Sequence, residues 1–236
     1  MSYDHHRNPT EIKNLFGSIS NTYDLANDVI TFGMAHNWRK KVVSWSEASK
    51  GQHVLDCASG TADLALEFKK VVGNKGRVVA SDFCQEMLEV GEKKALKEKV
   101  DLEFQLGDVM QLSFKDSEFD ITSIAYGIRN VKDPQKALSE MARVTKPDGY
   151  VMILETGEVS TPVLGPAIQA YFKYVVPRLG GLVSGQRQAY EYLNQSSSVF
   201  PCREDFLQIM EKTNKFKKLE YRSLMGGASY IYKGTV

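Results

Sequence analysis

The sequence is short of cysteine and histidine, holds no long apolar run, and carries almost no net charge. Its three cysteines, Cys57, Cys84 and Cys202, lie far apart and form no C-x-x-C pair. That excludes a disulfide framework and a structural zinc site, and fits a reducing, cytoplasmic setting. The four histidines have no metal-ligand spacing, so no metal site is expected. Nowhere do about 18 apolar residues follow one another, which excludes a membrane-spanning helix. The start, Met1-Ser2-Tyr3-Asp4-His5-His6, lacks the apolar core of a signal peptide. With 30 basic and 29 acidic residues the formal net charge is +1, too little for a dedicated nucleic-acid binder.

What is present is material for one large globular domain over residues 1–236, with 42% hydrophobic and 25% charged residues. Residues 8–46 carry apolar side chains at helical spacing, from Ile12, Phe16 and Ile19 to Ile30, Trp38 and Val42, and read as an N-terminal helical cap. From Gln52, short apolar runs at His53–Cys57, Arg77–Ser81, Leu102–Leu106, Phe119–Ala125 and Tyr150–Leu154 alternate with helix-length stretches. These are Thr61–Val72, Gln85–Lys97 and Pro134–Thr145. The alternation predicts βαβ units and a parallel sheet covered on both faces. Asp133 before Pro134 predicts a helix cap, and Lys146-Pro147-Asp148-Gly149 predicts a turn. Residues 158–200, broken by Pro162, Pro166 and Pro177, predict a helical insertion on the substrate side. Arg203–Lys212 reads as a helix, and Phe216–Leu224 and Ala228–Lys233 as a hairpin turning at Gly226-Gly227. The expected fold is α/β: a doubly wound, mixed seven-stranded sheet closed by an antiparallel hairpin.

In such a sheet, ligands bind beyond the carboxyl ends of the strands. The residues there are Asp56, Gly60 and Thr61 after the first strand, Asp82-Phe83 after the second, and Asp108-Val109 after the third. Ala125, Tyr126, Arg129 and Asn130 follow the fourth. Gly60 lets the backbone approach a ligand, and Thr61 starts a helix whose free N–H groups favour an anion or hydroxyl. A carboxylate at Asp82 suits the two ribose hydroxyls of an adenosine, and Asp108 suits its exocyclic amine. The dinucleotide fingerprint needs three glycines to admit a pyrophosphate, whereas this loop has one glycine and an acid, which disfavours a nicotinamide dehydrogenase. The predicted ligand is an adenosine without phosphates and with a positive centre, S-adenosyl-L-methionine. Plainer readings stay open for single residues: Gly60 as a turn, Asp82 as a cap for the helix starting near Cys84.

The chain resembles the ubiquinone/menaquinone biosynthesis C-methyltransferases, a family of class I S-adenosyl-L-methionine-dependent methyltransferases. The resemblance runs from about Phe16 to Gly227. It rests on Tyr23-Asp24-Leu25-Ala26-Asn27, Thr31-Phe32-Gly33 with Trp38-Arg39, and Tyr126-Gly127-Ile128-Arg129-Asn130-Val131. It continues through Arg143-Val144-Thr145-Lys146-Pro147-Asp148-Gly149, Glu155 and Tyr190-Glu191-Tyr192-Leu193 with Ser196. It implies methylation of a ring carbon of a polyprenylated quinol, and cofactor contacts at Thr61, Asp82, Asp108, Val109 and Ala125. The sequence departs from the family pattern at Ala35 (usually histidine), Ala62 and Asp148 (usually glycine), Gly157 (usually serine), and Gln186 and Gln188 (usually acids). These departures keep two alternatives open: the same chemistry on another aromatic or lipid-like molecule, or an inactive relative that still binds the cofactor.

For the quinol reaction, Arg129 is the expected oxyanion stabiliser, Asn130 orients the ring oxygen or the cofactor, and Tyr23 contacts cofactor or quinol. Tyr126, Arg187 and Tyr190 are the expected substrate contacts, with at most one of Tyr190 and Tyr192 in the pocket because they do not share a helix face. The greasy stretch Val163–Val183 reads either as a cover for a prenyl tail that touches the membrane surface or as a packed core or dimer helix. The resemblance also implies a homodimer.

Overall fold

The Asn8 side chain accepts a hydrogen bond from the Thr10 amide at 3.0 Å, and Pro9 pre-sets the first turn, so helix α1 (Pro9–Ile19) starts there. The computed structural model describes residues 8–159, 165 and 170–236. A 3-10 turn leads to α2 (Tyr23–Thr31). Phe32 and Gly33 take the left-handed conformation that ends α2, and α3 (Met34–Trp45) follows. Ile12, Phe16, Ile19, Ala26 and Ile30 of the first two helices pack with Met87 and Tyr190. α3 instead sends Trp38, Val42 and Trp45 into the sheet core. The segment 8–46 is therefore divided between a cap and the body.

The strands are β1 (His53–Cys57), β2 (Arg77–Asp82), β3 (Glu103–Leu106), β4 (Phe119–Ala125), β5 (Thr145–Thr156), β6 (Lys218–Leu224) and β7 (Ser229–Thr235). They form one seven-stranded sheet in the order β3-β2-β1-β4-β5-β7-β6. Only β7 runs antiparallel to both of its neighbours. The helices between the parallel strands are α4 (Asp63–Val72), α5 (Gln85–Glu98) and α6 (Pro134–Val144). A π-helical turn at Tyr171–Val175 continues into α7 (Val176–Ser184), followed by α8 (Arg187–Val199) and α9 (Glu204–Glu211). The central strands β1, β2, β4 and β5 are buried and largely apolar on both faces, as parallel strands inside a sheet require. Leu55, Val151 and Ile153 pack with Leu138, Met141, Phe206 and Met210 on one face. Their neighbours Val54, Met152 and Leu154 pack with Trp38, Val42, Ala65 and Phe68 on the other. Strand order reverses direction between β1 and β4, and the crevice at their carboxyl ends is where this topology places a ligand.

Asp133 caps α6 as expected, accepting from the Lys136 amide at 3.0 Å. Two local expectations change, and one departure from the family pattern finds its reason. α4 starts at Asp63, two residues later than the sequence predicts, because Ala62 takes the left-handed conformation at φ +65°. Its methyl group points into the packing of α5, where a Cβ at Gly91 would lie 3.1 Å from it. The predicted turn at Lys146–Gly149 is a bulge inside β5: pairing jumps from Phe119–Thr145 to Ile121–Tyr150. Asp148 holds that bulge at φ +63°, a conformation its short polar side chain tolerates. Gly157 is a matter of space. A Cβ there would sit 2.2 Å from the buried ring of Tyr230, so the serine usual in the family pattern does not fit.

Gly157→Ser is expected to lower the unfolding free energy by about 1–3 kcal/mol, the usual cost of overpacking, in denaturant titrations. Replacing Tyr230 by leucine in the same chain is expected to recover part of that loss.

Candidate active site

Asp56 is the next-to-last residue of β1 and is buried, and its two oxygens accept from Ser59 Oγ at 2.6 Å and Ser123 Oγ at 2.7 Å. It therefore ties β1 to β4 and to the loop above them. Burial pushes its carboxyl up to about 6. Gly60, at φ +56°, closes that loop, and a Cβ there would point into open space. Its amide donates to Asp82 Oδ2 at 2.8 Å, while the Cys84 amide donates to Asp82 Oδ1 at 2.8 Å. Asp82 thus braces the loop before α5 and faces the crevice at the same time; α5 itself starts from Cys84 without a side-chain cap. Burial raises it to about 6, against the pull of those two amides.

The crevice is lined by Gly60, Asp82, Phe83, Asp108, Val109 and Ala125, and by Tyr23, Tyr126 and Asn130. Of the expected cofactor contacts, Asp56 and Thr61 are not on its wall. Asp56 lies beneath the floor. The Thr61 hydroxyl is turned towards α2 and α5, donating to Asp24 at 2.5 Å and accepting from Lys94 at 3.2 Å. Lys94 also bridges Asp24 and Asp63 at 2.5 Å each, and Arg39 reaches Asp63 at 3.0 Å. This clasp fastens the cap to the loop.

A second cavity, of about 570 Å³, adjoins the first and shares Tyr23 and Tyr126 with it. Ile30, Ala35, Trp38, Val159, Val176 and Leu193 make it largely apolar, with Arg39, Arg129, Asn27 and Tyr190 among its polar-headed residues. Ala35 leaves room where the family pattern has histidine. His36 does not replace it: that ring is exposed and lies 3.7 Å from Glu67. Arg129 is buried, and its Nη1 donates to the fully buried Glu155. Burial works against the Arg129 charge, but its neighbours, Glu155 foremost, together outweigh it and keep the guanidinium protonated. Tyr23 has its hydroxyl raised by burial, partly offset by Arg129, so it stays neutral at working pH. Tyr126 takes the left-handed conformation at φ +56° and is raised by burial as well.

Asn130 lies in the wall of the first crevice. Its side chain donates to the Tyr126 carbonyl at 3.3 Å and accepts from Tyr192 on α8 at 3.2 Å. Tyr190 lines the second cavity while Tyr192 serves Asn130. The side chain of Arg187 lies outside the described residues, as do residues 160–164 and 166–169 of the predicted insertion. Sequence reasoning missed Glu155 and Arg39 as site residues. The signal for Glu155 was a single acid ending an otherwise apolar strand, the same signal that marked Asp82.

The sheet order, the single open glycine after β1 and the acid after β2 fit a nucleoside with no phosphates, and together with its relatives they define the protein as an S-adenosyl-L-methionine-dependent methyltransferase. Among solved structures, a SAM-dependent methyltransferase from Aquifex aeolicus shares the fold at a TM-score of 0.60 and 19% identity, covering 84% of this chain and 89% of that one. The ubiquinone/menaquinone biosynthesis C-methyltransferase UbiE of Bdellovibrio bacteriovorus is 51% identical over 233 residues, 99% of both chains. The demethylmenaquinone methyltransferase of Staphylococcus carnosus is 38% identical over 224 residues, 95% of this chain and 92% of its own. The model of the ubiE/COQ5 methyltransferase family matches residues 4–236, and the chain belongs to that family.

Asp82 generates a pH prediction. If ribose hydroxyls donate to its ionised form, protonation below about 6 removes the acceptor. Calorimetric affinity for S-adenosylhomocysteine is expected to be roughly tenfold weaker at pH 5 than at pH 7. In Asp82→Asn the affinity is expected to be lower throughout and this slope to disappear.

Proposed function

We propose that this enzyme methylates a ring carbon of a polyprenylated quinol, with demethylmenaquinol, the substrate class in the names of its relatives, as the first candidate. The observation that carries the reading is the apolar cavity joined to the nucleoside crevice at Tyr23 and Tyr126, with a buried arginine in its wall. Its volume, about 570 Å³, is in the range that holds a bicyclic ring and part of a tail.

In the crevice, Asp82 takes the ribose hydroxyls, Asp108 and Val109 face the adenine, and Gly60 leaves space for the chain of the methionyl part. S-adenosyl-L-methionine, when bound, supplies an electrophilic methyl carbon on a sulfonium that departs as a thioether. The protein has to make the ring carbon nucleophilic and hold it in line. Arg129 does the first: its permanent charge stabilises the ring oxyanion left when a quinol hydroxyl loses its proton to water, which pushes electron density onto the neighbouring carbon. Tyr23, Tyr126 and Asn130 do the second, forming the seam between the two cavities. After transfer the ring carbon gives up its proton to water and the aromatic ring is restored.

The helices that line the second cavity also present apolar side chains outward. Leu25 and Val29 on α2 and Phe32 just after it are exposed, and so are Tyr174, Val175 and Leu182 on the adjoining turn and α7. Among the described residues no helix is long and apolar enough to cross a membrane. The outward face supports shallow contact with a lipid surface, where a long-tailed quinol resides. In liposome flotation the wild type is expected to float, and Phe32→Asp/Leu182→Asp to remain at the bottom; equal behaviour of the two removes this contact.

The reaction is tested with labelled methyl donor and demethylated naphthoquinol and benzoquinol analogues, with mass spectrometry of the products. Arg129→Gln is expected to keep S-adenosylhomocysteine affinity within about threefold and to lose about 100- to 1,000-fold in turnover. A ring-methylated product from neither quinol would sink the proposal.

A further inference from the structure

Glu155 is the last acid of β5 and has no exposed surface. It meets Arg129 at two places. One oxygen accepts from the guanidinium Nη1, and the other accepts from the Arg129 main-chain amide at 3.4 Å. The first oxygen also receives the Thr156 amide at 2.7 Å and the Thr156 hydroxyl at 3.1 Å, which fix the carboxylate in turn. Arg129 is thus held at its root and at its tip, and a side chain with many rotamers is left with one arrangement. Its remaining edge is underused. Nε is buried, and among the described residues its N–H has no hydrogen-bond partner. An orphaned donor on a buried cation is costly, and the residue that carries it lines the second cavity, where a ligand oxygen would offset that cost.

Two effects of Glu155 on an incoming oxyanion oppose each other. Its negative charge weakens the field of Arg129, which would raise the energy of a phenolate in the cavity. Its hydrogen bonds stop the guanidinium from turning away to pair elsewhere, which lowers that energy. The double grip on root and tip favours the second effect. We infer that Glu155 is a positioning residue for methyl transfer: it fixes the Arg129 guanidinium with the Nε–H edge unspent, so that this edge serves the ring oxyanion of the quinol. The inference rests on the quinol reading above.

The test reads the oxyanion directly, without turnover. 7-Hydroxycoumarin is a bicyclic phenol whose anion has its own absorption and fluorescence. It is titrated with pH on the enzyme saturated with S-adenosylhomocysteine. On the wild type the bound probe is expected to ionise about one pH unit or more below its value in water. In Glu155→Gln, of the same size but unable to accept at both oxygens, bound ionisation is expected to move back up towards the free value. The rate of methyl transfer to a quinol analogue is expected to fall about 100-fold while KM for the methyl donor holds. Ionisation at still lower pH in Glu155→Gln would mean that the carboxylate only dampens the charge, and overturns the inference; so does an unchanged value. Should that variant fail to fold, Glu155→Asp keeps the pair neutral but draws the carboxylate back by one methylene. The same upward movement is then expected, and its absence counts against the inference. A wild type that binds the probe without shifting its ionisation overturns the inference alone. A wild type that does not bind the probe overturns the quinol reading together with it.

Discussion

The position of Asp56 governs the site. A carboxylate buried near the end of a central strand is costly unless its oxygens are satisfied, and here two serines satisfy them, one from the loop above and one from the neighbouring strand β4. The strand order reverses between β1 and β4, so the same hydrogen bonds join the two halves of the doubly wound sheet at the point where they diverge. The loop from Ala58 to Ala62 is set by that anchor. Gly60 is held against Asp82, Thr61 is turned towards the cap, and the floor of the nucleoside crevice is fixed before any ligand arrives.

Charge is distributed unevenly above that floor. The crevice for the nucleoside carries two acids, Asp82 and Asp108, suited to hydroxyl and amine donors, with Lys132 also in its lining. The adjoining cavity is largely apolar, with the buried cations of Arg129 and Arg39 and the acid Glu158 in its lining. A sulfonium and a phenolate are attracted to different ends of this arrangement, and Tyr23 and Tyr126 stand where the two ends meet. Because burial raises both phenols, the meeting point is lined by neutral hydroxyls that do not compete for the charges.

Much of this was legible in the chain. Short apolar runs and helix punctuation located every strand of the core, β1 and β4 with both ends in place, because those signals are local. The rule that ligands sit beyond the strand ends picked out Asp82, Phe83, Asp108, Val109 and Ala125, all of which face the crevice. Side-chain direction was less legible. Asp56 and Thr61 occupy the expected loop, yet partners from β4, α2 and α5 decide where they point. Glu155 lies 26 residues from Arg129, and Tyr192 lies 62 from Asn130, so only the folded chain brings these pairs together. The bulge at Asp148 read as a turn because its residues are turn residues; the sheet took it in as a strand irregularity, with the Asp148 amide bonded to the Val236 carbonyl.

A methyl group at Gly91 would lie 3.0 Å from the Phe104 ring, 3.1 Å from the Ala62 methyl and 3.2 Å from the Thr61 main chain. Ala62 is one of three groups that press on that spot, so enlarging Gly91 crowds the base of the cofactor loop even where residue 62 is glycine.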